Sequence, residues 1–68
     1  MKLSARNVIT GKLKSLVRGQ TTAHVKIELA RGIVITASIT NEAVDELKLK
    51  VGDKVSAIVK ASDVIVGK

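Results

Sequence analysis

No cysteine, proline or aromatic residue occurs anywhere in this 68-residue chain, and histidine occurs once, as His24. Each absence removes a class of explanation. Without thiols there is no disulfide framework, and a single imidazole cannot make a structural zinc site, which takes four nitrogen or sulfur ligands. Nucleophilic catalysis wants a Ser or Cys beside an oriented base, and metal-assisted hydrolysis wants clustered His and carboxylates. The chain offers neither, so no enzyme activity is expected. His24 alternates with apolar neighbours along a regular strand pattern and reads as a solvated strand histidine. Phosphate-cradling glycine loops are missing too: Gly19, Gly32 and Gly52 stand singly at turns, with no GxGxxG or Walker pattern. No segment approaches the length needed to span a bilayer, and no apolar run of signal-peptide length follows Met1-Lys2-Leu3-Ser4-Ala5-Arg6. A cytoplasmic address with no membrane partner is the expectation.

What is present is aliphatic and basic. Hydrophobic residues make up 46% of the chain, so the core must be built from Val, Ile, Leu and Ala, whose branched members suit sheets packed on both faces. One domain over residues 1–68 is expected, and a domain this small buries too little apolar surface to be comfortably stable alone. With disulfides and metal excluded, self-association is the remaining supplement. The net charge of +6 points to an anionic partner: nucleic acid, acidic lipid or an inorganic oxyanion. Charge alone does not choose among them.

Between Val8 and Val17 the residues Ile9, Gly11 and Leu13 alternate with Thr10, Lys12 and Lys14, the period of a half-buried strand. Arg18-Gly19-Gln20 reads as a turn. In the next run Ala23, Val25, Ile27 and Leu29 share one face and Thr22, His24, Lys26 and Glu28 the other. Arg31-Gly32 supplies a tight connection, and Ile33 to Ser38 pairs back as a third strand. At Thr40 the period changes. Thr40 or Asn41 can cap a helix, Glu42 suits its positive end, and Ala43, Val44 and Leu47 fall at helical spacing. Val51-Gly52-Asp53 is a turn before a strand from Lys54 to Lys60, with Val55, Ala57 and Val59 inward. Ala61-Ser62-Asp63 interrupts it, and Val64-Ile65-Val66 reads as a last short strand. The expected fold is mainly β, a five-stranded OB-like barrel with one short helix between the third and fourth strands. Val8, Val34, Ile58 and Ile65 fall on faces that alternation leaves to water, which suggests a second buried surface between copies.

Two short segments stand apart from this framework. Ser4-Ala5-Arg6-Asn7 precedes the first strand, and Lys60-Ala61-Ser62 follows the fourth. Each joins a cation to hydroxyl, amide and irregular-backbone donors, and chain leaving a strand has N–H groups free to face a ligand. Such segments are common, and residue types alone fit strand-end capping better than a pocket. Taken with Ala37-Ser38-Ile39-Thr40, Val51-Gly52 and the run from Ala57 to Val64, however, they resemble the Mop domain of molbindins, also called the transport-associated OB (TOBE) domain. The resemblance covers essentially the whole chain, and its length is that of a free-standing molbindin.

The resemblance implies a molybdate-binding protein that stores or buffers the anion, with tungstate as a further ligand. It implies a homohexamer arranged as a trimer of dimers, with oxyanions held between subunits. By position, Ser4, Ala5 and Arg6 would contact the anion, with Asn7 adjoining, and Lys60, Ala61 and Ser62 beside them. Thr40 would come from a neighbouring subunit. Where relatives can carry a hydroxyl this chain has Ala43, one donor fewer. A second kind of site near the threefold axis is also implied, without residues to assign to it. The chemistry is apt, since molybdate is a proton-free tetrahedral dianion that wants donors only, and charge-assisted bonds from Arg6 and Lys60 are about twice as strong as neutral ones. The rival is a basic OB-type nucleic-acid module with Lys12, Lys14 and Lys26 tracking phosphates, but such modules stack bases on aromatic rings and this chain has none.

Overall fold

A computed structural model describes residues 4–68. Its strands are β1 (Asn7–Arg18), β2 (Thr22–Ala30), β3 (Ile33–Thr40) and β4 (Lys54–Val59), with helix α1 (Asn41–Leu47) between β3 and β4 and a 3-10 turn at Ala61–Asp63. All pairings are antiparallel, and the sheet order is β3-β2-β1-β4. The core is where the alternation placed it. Leu13, Val25, Ile27 and Ala57 form one buried cluster, with Leu16, Leu29, Ile35, Ala37, Ile39, Leu49 and Val55 packed against it.

Strict alternation would put Leu13 and Leu16 on opposite faces. The strand resolves this with a bulge: Leu13 pairs with Ile27 and Ser15 with Lys26, so Lys14 is the extra residue and Leu16 returns to the core opposite Val25. The extruded Lys14 reaches Glu28 at 3.1 Å. On its other side, the backbone of Leu13 bonds to Gly52 and Asp53 in both directions, at 2.8 Å each, which anchors the β4 entry to the middle of β1. Gly52 there has φ 100°, and Gly32 in the β2–β3 turn has φ 77°, conformations that exclude most side chains.

Helix α1 begins as its sequence dictates. Thr40 is the N-cap, its side-chain oxygen accepting from the Ala43 N–H at 3.0 Å. Asn41 ties the start to the β1–β2 turn, donating through its amide to Gly19 O and through its backbone N–H to Thr21 O. Lys48 closes the other end in the left-handed region, φ 52°, while Lys48 N–H and Leu49 N–H return to Asp45 and Val44 carbonyls. Val44 seals the helix against the sheet, 1% exposed. Thr40→Ala should cost about 1 kcal/mol through the lost cap. Thermal melts check this, with Thr40→Ser restoring the parent value.

The expected five-stranded barrel is corrected to an open four-stranded sheet. Val64-Ile65-Val66 forms no strand; the chain leaves β4 through the 3-10 turn and continues without regular structure, with Ile65 and Val66 94% and 89% exposed. The fourth strand also stops at Val59 rather than Lys60. A three-residue apolar run has strand character only if a ladder partner is beside it, and its own sheet edge is not brought to it. The two edge strands therefore face each other across an apolar trough of about 430 Å³, lined by Ile35, Ala37, Ile39, Leu47, Ala57 and Val59 among others. Val8, Val34 and Ile58 are exposed, at 46%, 42% and 44%, and Ile58 also borders the trough.

Candidate functional site

The β1–β4 ladder brings the two donor segments together. Its rungs run from Lys12↔Lys54 to Asn7↔Val59, where regular pairing ends, and Arg6 and Lys60 are the next residues out on the two strands. Ser4-Ala5 and Ala61-Ser62 continue on either side, where the chains leave the ladder. Residues at the two ends of the sequence thus become neighbours, because β1 and β4 are antiparallel and adjacent. The resemblance places both segments beside one anion, and the β1–β4 register gives the physical reason within one chain, since it ends the two strands side by side.

Arg6 and Lys60 are both exposed, and among the described residues neither has a carboxylate within ion-pair distance. Like charges placed directly opposite each other destabilise a strand pair. Two cations are paired, Lys14 with Glu28 at 3.1 Å and Arg18 with Asp45 at 2.6 Å. Arg6 and Lys60 are not, and neither are Lys12 and Lys54, which face each other further along the same ladder. Lys60 precedes the 3-10 turn with extended backbone (φ −64°, ψ 137°), and the turn's internal bonds begin at Asp63 N–H to Lys60 O. The N–H groups of Ala61 and Ser62 have no backbone acceptor among the described residues, as expected for the first positions of a helical turn.

Asn7 is half-buried and already engaged. Its side-chain amide donates to Val59 O at 3.1 Å, a bond spanning 52 residues of sequence. The last rung of the ladder is thereby reinforced from a side chain.

Thr40 is not part of this cluster within one chain. It pairs with Thr22 on β2, next to the rung joining Ala23 to Arg18, so it lies with the far end of β1. Arg18 lies eleven residues beyond Asn7, at the opposite end of β1. Its hydroxyl spends an acceptor position on Ala43 N–H and keeps its O–H to donate. Ala43 supplies only that backbone N–H.

His24 is exposed on the outer face, opposite Ser38 on one side and Val17 on the other. No group of three or more metal-ligating side chains forms among the described residues. The lysines of the nucleic-acid alternative, Lys12, Lys14 and Lys26, are exposed on β1 and β2, with Lys14 tied to Glu28 and Lys12 in register with Glu28. No helix among the described residues is long and apolar enough to cross a membrane.

Comparison with known proteins gives a consistent picture. The family model described as TOBE domain matches residues 3–66. A probable molybdenum-pterin-binding protein of Haemophilus influenzae is 43% identical over 67 residues, covering 98% of this chain and 97% of that protein. Among solved structures, a molybdate binding protein from Sporomusa ovata superposes with a TM-score of 0.94 at 38% identity, covering all of both chains. The cytoplasmic molybdate-binding protein ModG, with molybdate bound, superposes with a TM-score of 0.90 at 48% identity, covering 96% of this chain and 46% of that one.

Proposed function

This chain belongs to the TOBE domain family, and from that premise we propose that it binds molybdate as a cytoplasmic storage or buffering protein, without catalysing a reaction. The observation that carries the reading is the Asn7–Val59 rung that ends the β1–β4 ladder, since Arg6 and Lys60 adjoin it on the two strands with no carboxylate within ion-pair distance among the described residues. A dianion placed between them turns a repulsive pair into two charge-assisted contacts. Ser4, the backbone at Ala5, the N–H groups of Ala61 and the N–H and hydroxyl of Ser62 complete the donor set on this chain. Each donates, and molybdate has only acceptors.

Thr40, at the other end of β1, joins this set only from another copy. That geometry supports a site between subunits, in a homohexamer built as a trimer of dimers. The exposed aliphatics support the assembly as well: Leu47, Val51 and Ile65 are 66%, 64% and 94% exposed, and the trough between β3 and β4 is open. A domain of this size gains much of its stability by covering such surface.

Phosphate, which keeps a proton near neutral pH, lacks a carboxylate acceptor among these donors and is expected to bind weakly. Tungstate, nearly the size of molybdate, is expected to share the pocket.

Native mass spectrometry with and without molybdate tests the proposal in one measurement. The expected result is a six-subunit species that gains mass in steps of the bound anion. A monomer that takes up no molybdate, together with salt-steep binding to single-stranded nucleic acid, would replace this reading with the nucleic-acid one.

A further inference from the structure

We propose that Asn7 is a positioning residue that sets the anion-size selectivity of the pocket by fixing the gap between its two donor segments. The inference rests on the oxyanion reading above and extends it to a residue whose side chain points its bond elsewhere. Asn7 sits one residue from Arg6, and its acceptor, Val59, sits one residue from Lys60. The bond between them is therefore the last covalently anchored crosslink before the two segments part.

Two effects act on that gap. Arg6 and Lys60 are like charges one residue beyond the Asn7–Val59 rung on the two strands, which favours separation of the strand ends when no anion is present. Terminal rungs of a ladder are also the first to fray, having neighbours on one side only. The Asn7 Nδ2 to Val59 O bond, 3.1 Å long and half-buried, opposes both. Held in this way, the donors stand at a spacing set by the protein and not by the ligand, so an anion pays little ordering cost if it matches the gap. A smaller tetrahedral dianion such as sulfate carries the same charge but fits a gap fixed at molybdate's size less well. With the crosslink removed, the segments adjust to whatever anion arrives, and the larger one loses its advantage.

The test is calorimetric titration of the assembled parent protein and of Asn7→Leu with molybdate and with sulfate, alongside thermal melts of the anion-free proteins. Leucine keeps the branched shape and the number of side-chain heavy atoms but has no donor. The expected result is a molybdate affinity lowered about tenfold, a sulfate affinity changed less than threefold, and hence a collapsed selectivity ratio. Asn7→Ser, polar but too short to reach Val59 O, should give the same loss of ratio and serves if leucine prevents folding. Affinities for both anions falling by one common factor would reduce Asn7 to a general structural support and overturn the proposal, as would no change in either. A parent protein that binds neither anion would overturn the oxyanion reading and this proposal together, whereas a binding parent whose variants keep its selectivity overturns this proposal alone.

Discussion

Arg6→Ala and Lys60→Ala should each weaken molybdate binding at least tenfold, about 1.4 kcal/mol or more, with the expected oligomer still assembled. The size of the effect follows from the type of contact. Hydrogen bonds to charged groups contribute about 1.5–3 kcal/mol, and removing either cation leaves the dianion with one charge-assisted partner in place of two. The assembly should be indifferent because both side chains are exposed and unpaired among the described residues. Removing one even relieves the repulsion across the ladder end. Arg6→Lys separates charge from shape: it keeps the cation but loses the planar fork that can hold two oxygens at once, so an intermediate affinity is expected. Isothermal calorimetry reads the affinities and native mass spectrometry the assembly. Both alanine variants binding like the parent would mean that the pocket lies elsewhere.

The second large effect belongs to the scaffold. Gly11 stands in the middle of β1, opposite Val55 on β4, where β1 passes close to the backbone of β2. A Cβ there would lie 2.6 Å from Glu28 O and 2.8 Å from Ile27 Cγ2. The first of these is a backbone carbonyl, which cannot swing aside as a side-chain end can. Gly11→Ala should therefore destabilise by about 2–3 kcal/mol, the cost of forcing extra volume into a packed core. For a domain of this size that is a melting temperature lower by roughly 10 °C or more. Gly11→Val should fail to give folded protein. Gly67→Ala is the control, since nothing lies within 4 Å of the added carbon, and its melt should match the parent. An alanine at position 11 that melts with the parent would show that β1 and β2 can move apart there at little cost.

These two effects differ in how far they could be read from the residues. Arg6 and Lys60 were recognisable as donors by type and by their place at strand ends, and their resemblance to a known domain gave them a ligand. Gly11 read only as one member of an alternating strand face; that it sits against a carbonyl of the neighbouring strand depends on how tightly β1 and β2 approach. The same holds for Leu16. Its distance from Leu13 breaks a period of two, and only the bulge at Lys14 returns it to the core. Asn7 carries a donor that sequence assigns to no particular acceptor, and the acceptor turned out to be the carbonyl of Val59, 52 residues away.

The sequence by itself determined the aliphatic core, through period-two runs that leave Leu13, Ala23, Val25, Ile27 and Ala57 on one face. It also determined the helix start at Thr40, a local matter of a hydroxyl three residues from an N–H that needs it. The tertiary structure alone decided that β1 and β4 pair as far as the Asn7–Val59 rung, so that Arg6 and Lys60 leave the ladder at one end, that Thr40 lies at the far end of β1 from them, and that Val64-Ile65-Val66 stays outside the sheet. Local patterns are fixed by interactions within a turn or a strand, which the residues carry with them. Register and strand pairing are fixed by which distant surfaces fill the core together, and a slip of one residue would have turned every apolar side chain to the opposite face.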